Sequence, residues 1–122
     1  MMTRAVKRYE RASPLKVRKI LREIKGKPVP QARAILTLHH SRTKIPILKT
    51  LNSAVANLKN KVGSVRVEDN DLYVKEAIAN EGPRFKRLRP GFRGSPSIIK
   101  RPTCHITIIV DSYKPIQSKK GE

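Results

Sequence analysis

The sequence predicts an α+β domain: three helices packed on a small antiparallel sheet, with a long basic β-hairpin extending from that sheet. Apolar residues recur at helical spacing in the first half of the chain and alternate as in strands in the second half. A basic segment rich in turn formers separates the last two strand-like stretches. The length of 122 residues fits one domain. Within it, we expect residues 82–102 to form the projecting hairpin and residues 112–122 a flexible tail.

A short strand over residues 5–10 is expected to precede the first helix. Ser13 can cap the free amides of that helix, and Pro14 suits its first position. Gly26 is expected to end this helix. One apolar stripe at i, i+3, i+4 and i+7 predicts the buried side of the helix: Val17, Ile20, Leu21 and Ile24. The opposite side carries Arg18, Lys19, Arg22 and Lys25.

Two further helices are predicted before the strand-rich half. A short one opens at Pro30 and carries Ala32, Ile35 and Leu36; residues 39–41 then form a connection. A longer helix begins at Ile45 or Pro46 and ends at Gly63. Spacings of 3, 4, 3 and 4 predict one continuous packing face on it: Leu48, Leu51, Val55, Leu58 and Val62.

The second half predicts an antiparallel pair of strands. Residues 68–71 form an acidic turn, after which a strand begins at Leu72. Alternation assigns Leu72, Val74 and Ile78 to one face, with Tyr73 and Lys75 on the other. The β-branched run over residues 103–110 predicts the return strand.

The charge balance points to a polyanionic partner. The chain has 28 Lys and Arg against 9 Asp and Glu, a formal net charge of +19. Self-repulsion at this charge disfavours the compact state unless a polyanion or salt screens it. Nucleic acid is therefore the favoured partner. An anionic membrane surface ranks second, and no apolar run is long enough to span a membrane.

The predicted hairpin concentrates this charge. Residues 83–101 contain no acid and seven bases: Arg84, Lys86, Arg87, Arg89, Arg93, Lys100 and Arg101. Such a segment cannot enter an apolar core, because buried unpaired charges are prohibitively costly. With only five aromatic residues, the chain lacks an obvious platform for stacking bases. Recognition of folded RNA through shape and phosphates is thus favoured.

Residues that could suggest catalysis or a metal have simpler interpretations. Cys104 is the only cysteine, so neither an intrachain disulfide nor a cysteine-based zinc site is expected. His39 and His40 are adjacent and rarely could both reach one ion, and His105 fits a strand. Phosphate-loop and nucleophile-elbow motifs are missing. We expect no enzyme activity, no metal and no cofactor.

Several segments, taken in order, resemble the L22 family of large-ribosomal-subunit proteins. The resemblance covers nearly the whole chain and rests on these motifs: residues 11–18 (RASPLKVR), 24–27 (IKGK), 46–54 (PILKTLNSA), 56–57 (AN), 72–77 (LYVKEA), 81–90 (EGPRFKRLRP) and 101–108 (RPTCHITI). The last motif is similar to the plastid and cyanobacterial branch. It slightly favours a plastid stroma over a bacterial cytoplasm as the ribosome's location.

The resemblance implies a structural protein that binds large-subunit ribosomal RNA, contacts neighbouring ribosomal proteins and aids subunit assembly. It implies RNA-binding roles for Lys7, Arg11, Lys16, Lys19, Arg22, Arg84, Lys86, Arg87, Arg89, Arg93, Lys100 and Arg101. It also implies that the hairpin tip lines the nascent-peptide exit tunnel and meets the nascent peptide, through Pro90, Gly91, Phe92, Arg93 and Gly94. At Gly91-Phe92 and Ser95-Pro96 the tip departs from the family pattern, being bulkier and less cationic.

Two other functions fit parts of the sequence. An independent nucleic-acid chaperone or DNA-compacting protein would carry similar charge, but would bind many duplexes equally. A nuclease would need a convergent cluster of carboxylates or histidines, whereas four of the nine acids lie close together at residues 68–76, away from the hairpin.

Overall fold

The α+β architecture is confirmed in the computed structural model, which describes residues 2–62, 68–94 and 96–113. The elements in chain order are β1 (Met2–Glu10), α1 (Pro14–Ile24), α2 (Val29–Leu38), α3 (Lys44–Val62), β2 (Leu72–Glu81), β3 (Phe85–Pro90), β4 (Pro96–Arg101) and β5 (Cys104–Ser112). Short 3₁₀ turns occupy Asp69–Asp71 and Phe92–Gly94. The predicted helix stop at Gly63 and the tail beyond residue 113 lie outside the described residues.

The last strand of the chain is the centre of the main sheet. The strand order is β1-β5-β2, and both pairings are antiparallel. β3 and β4 form a separate two-stranded antiparallel sheet, called the hairpin below. Ser112 and Tyr113, assigned to the tail from the sequence, instead belong to the sheet region: Ser112 ends β5, and the Tyr113 ring stacks on Tyr73.

The helices cover one face of the main sheet and form a single core with it. The predicted stripe of α1 is fully confirmed as buried. On α3, Leu51, Val55 and Leu58 are buried as predicted, but Leu48 is only partly buried. The inner position is taken by Ile47, together with Ala54 on the same helix. The side chain of Val62 lies outside the described part of the chain.

The predicted alternation along β2 is correct only for its first half. Leu72 and Val74 are buried, but Ile78 is exposed and Ala79 is buried instead. A β-bulge explains the change: Val74 pairs with Val110 while Glu76 pairs with the next residue, Ile109. The extra residue on β2 reverses the faces of all later side chains, because side chains alternate with a period of two.

Polar contacts of α1 also differ from expectation. Ser13 occupies the cap position of α1, but its side chain makes no capping hydrogen bond. Arg18, expected on the solvent side, donates from Nε to the carbonyl of Ala79 at 3.0 Å. It therefore ties α1 to β2. Lys25 lies 3.4 Å from Glu76 and links the same two elements.

The acidic turn before β2 connects to two helices. Asp69 forms an ion pair with Arg33 of α2, and its Oδ1 lies 2.8 Å from Nζ of Lys59 on α3. Lys59 first, and then Arg33, hold the pKa of Asp69 below its ordinary value, although partial burial acts in the opposite direction. The predicted acidic turn is therefore present, and it has a structural role because it connects to α2 and α3.

Candidate nucleic-acid interface

The hairpin begins where the main sheet stops pairing. β2 and β5 pair as far as Glu81 and Cys104, residues 82–84 leave the ladder, and β3 then pairs with β4 from Phe85 opposite Arg101. Gly82 donates its backbone N–H to the carbonyl of Thr103 at 2.9 Å. The hydroxyl of Thr103, a buried residue, donates to the carbonyl of Pro83. Pairing is therefore interrupted at the base, but the base is hydrogen-bonded.

The tip is more regular than the sequence suggests. Its many glycines and prolines predict little structure between residues 89 and 97, yet pairing continues to Pro90 opposite Pro96. A 3₁₀ turn over Phe92–Gly94 follows, in which the N–H of Gly94 lies 3.3 Å from the carbonyl of Gly91. Arg93 and Gly94 both take left-handed backbone conformations, with φ of 57° and 77°. Two consecutive residues with positive φ let the chain reverse within a short loop.

The predicted RNA-binding residues of the hairpin lie in solvent. Each of Arg84, Lys86, Arg87, Arg93, Lys100 and Arg101 is exposed. Arg84 lies 3.9 Å from Glu81, another exposed residue. Across residues 2–62, 68–94 and 96–113, no carboxylate lies within ion-pair distance of Lys86, Arg87, Lys100 or Arg101. The side chains of Arg89 and Phe92 lie outside the described part of the structure.

A second basic surface lies on α1. Lys16, Lys19 and Arg22 are exposed on the side opposite the buried stripe. Lys7 on β1 and Arg11, in the connection to α1, are also exposed. Arg18 and Lys25, which the sequence places on the same outer face but not among the RNA-binding residues, contact Ala79 and Glu76 of β2.

A cleft with both polar and apolar lining, which sequence reasoning missed, lies between β1 and α3. It has a volume of about 450 Å³ and is lined by Lys7 and Lys49 together with Thr50, Ser53 and Glu10, among others. The signal in the sequence was weak, because these residues are far apart along the chain and only the packing of α3 against β1 brings them together.

The remaining candidates have structural contacts. His105 accepts a hydrogen bond at Nδ1 from the backbone N–H of Tyr9 at 3.1 Å, and the two rings meet edge to face. His39 accepts one at Nδ1 from Ser41. Cys104 is buried, and burial raises the pKa of its thiol. In the described portion, His, Cys, Asp and Glu form no group of three that could hold a metal ion, and no helix is long and apolar enough to span a membrane.

An α+β domain that exposes a basic helix face and a basic two-stranded hairpin has the features of a nucleic-acid-binding protein. The family described as ribosomal protein L22p/L17e matches residues 5–111. The large ribosomal subunit protein uL22 of Chlorobium phaeobacteroides (strain BS1) is 40% identical over 116 residues, which cover 95% of this chain and 99% of that protein. The chain belongs to the ribosomal protein L22 family.

Family membership fixes the coarse function. The protein is a structural constituent of the large ribosomal subunit and is located on the ribosome. The family is a non-enzymatic class of ribosomal protein. Its members are expected to bind ribosomal RNA, which agrees with the charge of +19.

Proposed function

We propose that the protein binds large-subunit ribosomal RNA through the hairpin and the exposed face of α1, aids subunit assembly, and places its hairpin tip at the wall of the peptide exit tunnel. The observation that supports this most directly is the hairpin itself. It is a two-stranded sheet with exposed basic side chains along both strands. An isolated two-stranded hairpin is only marginally stable in water, so a polyanion that neutralises its charge would also order it.

Under this proposal the basic residues divide between two surfaces. The hairpin draws its contacts from among Arg84, Lys86, Arg87, Lys100 and Arg101, and α1 from among Lys16, Lys19 and Arg22, with Lys7 and Arg11 nearby in sequence. Phosphate contacts of this kind supply affinity that falls with salt. The protein has no catalysis of its own, takes no cofactor, and works on a ribosome of the bacterial type, in a bacterium or a plastid.

Sedimentation tests the assignment to RNA within the large subunit. Cell extract is separated on a sucrose gradient after a high-salt wash, and each fraction is probed for this chain. We expect the protein to stay with the large subunit, because it is held by many contacts in one defined site. Release by the wash together with equal binding to unrelated duplexes would instead support an independent nucleic-acid chaperone.

Shortening the tip tests its role in the tunnel. Deleting residues 91–94 removes the 3₁₀ turn while leaving the base at Gly82 and Thr103 unchanged. We expect folding and incorporation into the large subunit to persist, and macrolide response or nascent-chain stalling to change. A shortened protein that folds but never enters the subunit would make the tip an assembly element and contradict this division.

A further inference from the structure

The pairing register sorts the hairpin side chains onto two faces of different chemistry. Phe85 pairs with Arg101 and Arg87 pairs with Ile99, so these four residues share one face, called the arginine face below. Lys86 pairs with Lys100 and Leu88 pairs with Ile98, and these four form the opposite face, called the lysine face. Within residues 85–88 and 98–101, each face therefore carries two formal positive charges.

The arginine face combines charge with an aromatic surface. The guanidinium carbon of Arg87 lies 5.9 Å from the ring centroid of Phe85, within the range of a cation–π contact. Phe85 remains 43% exposed, so its ring is open to a further partner. Arginine binds phosphate in a bidentate manner, and its planar group stacks on flat rings. This face therefore offers RNA both phosphate ligands and a stacking surface.

The lysine face offers RNA much less. Beside its two lysines, in the next pair on the same face, lie Leu88 and Ile98, which are 74% and 64% exposed and provide no hydrogen bond to a phosphate. The two lysines lie directly opposite each other, an arrangement that is unfavourable in the free hairpin. Their ammonium groups act as point charges rather than as planar forks. The equal charge within residues 85–88 and 98–101 thus does not mean equal complementarity to RNA.

We infer that ribosomal RNA binds the hairpin through the arginine face alone. Arg87 and Arg101 bind backbone phosphates, and a nucleobase stacks on Phe85; the lysine face is turned away from the RNA backbone. This inference rests on the proposed RNA binding and adds to it which side of the hairpin is the interface.

Charge-matched double variants test the inference. Arg87→Gln/Arg101→Gln and Lys86→Gln/Lys100→Gln each remove two positive charges, one from each hairpin strand, and all four side chains are exposed. Binding of the full-length proteins to deproteinised large-subunit ribosomal RNA is measured across a salt series. The arginine variant should reduce the slope of log K against log salt by about 1.4–1.8, the value for two lost phosphate contacts. The lysine variant should keep a slope close to that of the unmodified protein.

Two further variants separate geometry from charge. Arg87→Lys/Arg101→Lys keeps the charge, so it should keep the slope but lower the affinity at every salt concentration. Phe85→Leu should also lower the affinity without changing the slope, because it removes stacking and no phosphate contact. Circular dichroism spectra that match the unmodified protein verify folding for each variant.

The outcomes distinguish the inference from the proposal beneath it. Equal slope changes in the two glutamine variants, or a larger change in the lysine variant, would overturn the one-sided interface while leaving RNA binding intact. Salt-independent or undetectable binding by the unmodified protein would overturn the proposed function itself.

Discussion

Gly82 and Thr103 lie so close together that a β-carbon on Gly82 would be 2.5 Å from Oγ1 of Thr103. They are also joined by a hydrogen bond from the N–H of Gly82 to the carbonyl of Thr103, and the hydroxyl of Thr103 continues to Pro83. Thr103 is only 2% exposed. The passage from the main sheet to the hairpin therefore depends on a glycine that leaves space for a buried, hydrogen-bonded hydroxyl.

Gly82→Ala should destabilise the protein by about 1–3 kcal/mol, the usual cost of overpacking a filled site. The double variant Gly82→Ala/Thr103→Ala removes the atom that clashes, so its loss should be smaller than the sum of the two single losses. Denaturant unfolding measures all three values. Asn80→Ala, an exposed change on the same strand, is the control and should have little effect. Strictly additive losses would mean that Gly82 and Thr103 are not coupled.

Thr103→Val should loosen the hairpin base. Valine keeps the shape of threonine but cannot donate to the carbonyl of Pro83, so a hydrogen bond with a typical net contribution of about 0.5–1.5 kcal/mol is lost. The substitution should increase the rate of hydrogen exchange at the amides of β3 and β4 more than at the amides of β5. Thr103→Ser keeps the hydroxyl and should retain most of the protection. If serine and valine variants exchange alike, the hydroxyl does not hold the base.

Leu51→Ala should cost about 2–5 kcal/mol of unfolding free energy, because Leu51 is fully buried on the inner face of α3. Leu48→Ala should cost less, since Leu48 is only partly buried at the edge of the core. Lys49→Ala, an exposed change on the same helix, is a better control than Lys59→Ala, because Lys59 contacts Asp69. Chemical denaturation followed by circular dichroism provides the three values. Equal losses at residues 48 and 51 would contradict the assigned inner face.

The elements that could be predicted from the sequence are those whose signal is local. The stripe of α1 and the burial of Leu51, Val55 and Leu58 follow from a helical period that each segment carries within itself. The exposure of Ile78 could not be predicted in this way. The bulge after Val74 is visible only in the register between β2 and β5, and no residue type at this position predicts it.

The candidate site shows the same division between local and long-range information. The basic hairpin was evident from its charge and turn formers, whereas Arg18 was misassigned because its acceptor, the carbonyl of Ala79, is 61 residues away. The two faces of the hairpin also depend on the pairing of β3 with β4. Which residues lie on each face could not be predicted without the register, in which Phe85 lies opposite Arg101.

Asp69→Asn should remove a pH-dependent part of the stability. Lys59 and Arg33 lower the folded-state pKa of Asp69 below its ordinary value of 3.8, so the carboxylate stabilises the fold at pH values above that value. This contribution is lost as pH falls through the lower folded-state pKa. The ion pairs are partly exposed, so at neutral pH the variant should lose no more than about 1 kcal/mol.

Urea unfolding of both proteins between pH 7 and pH 2 measures this effect. The difference in unfolding free energy should be constant at neutral pH. It should shrink as pH falls below the ordinary value of 3.8, because the unfolded state then binds a proton before the native carboxylate does. Asp71→Asn, in the same 3₁₀ turn, provides a neighbouring control for the loss of one acidic charge. A difference between Asp69→Asn and the unmodified protein that stays constant down to pH 2 would show that Asp69 stabilises the turn through its shape or hydrogen bonds rather than its charge.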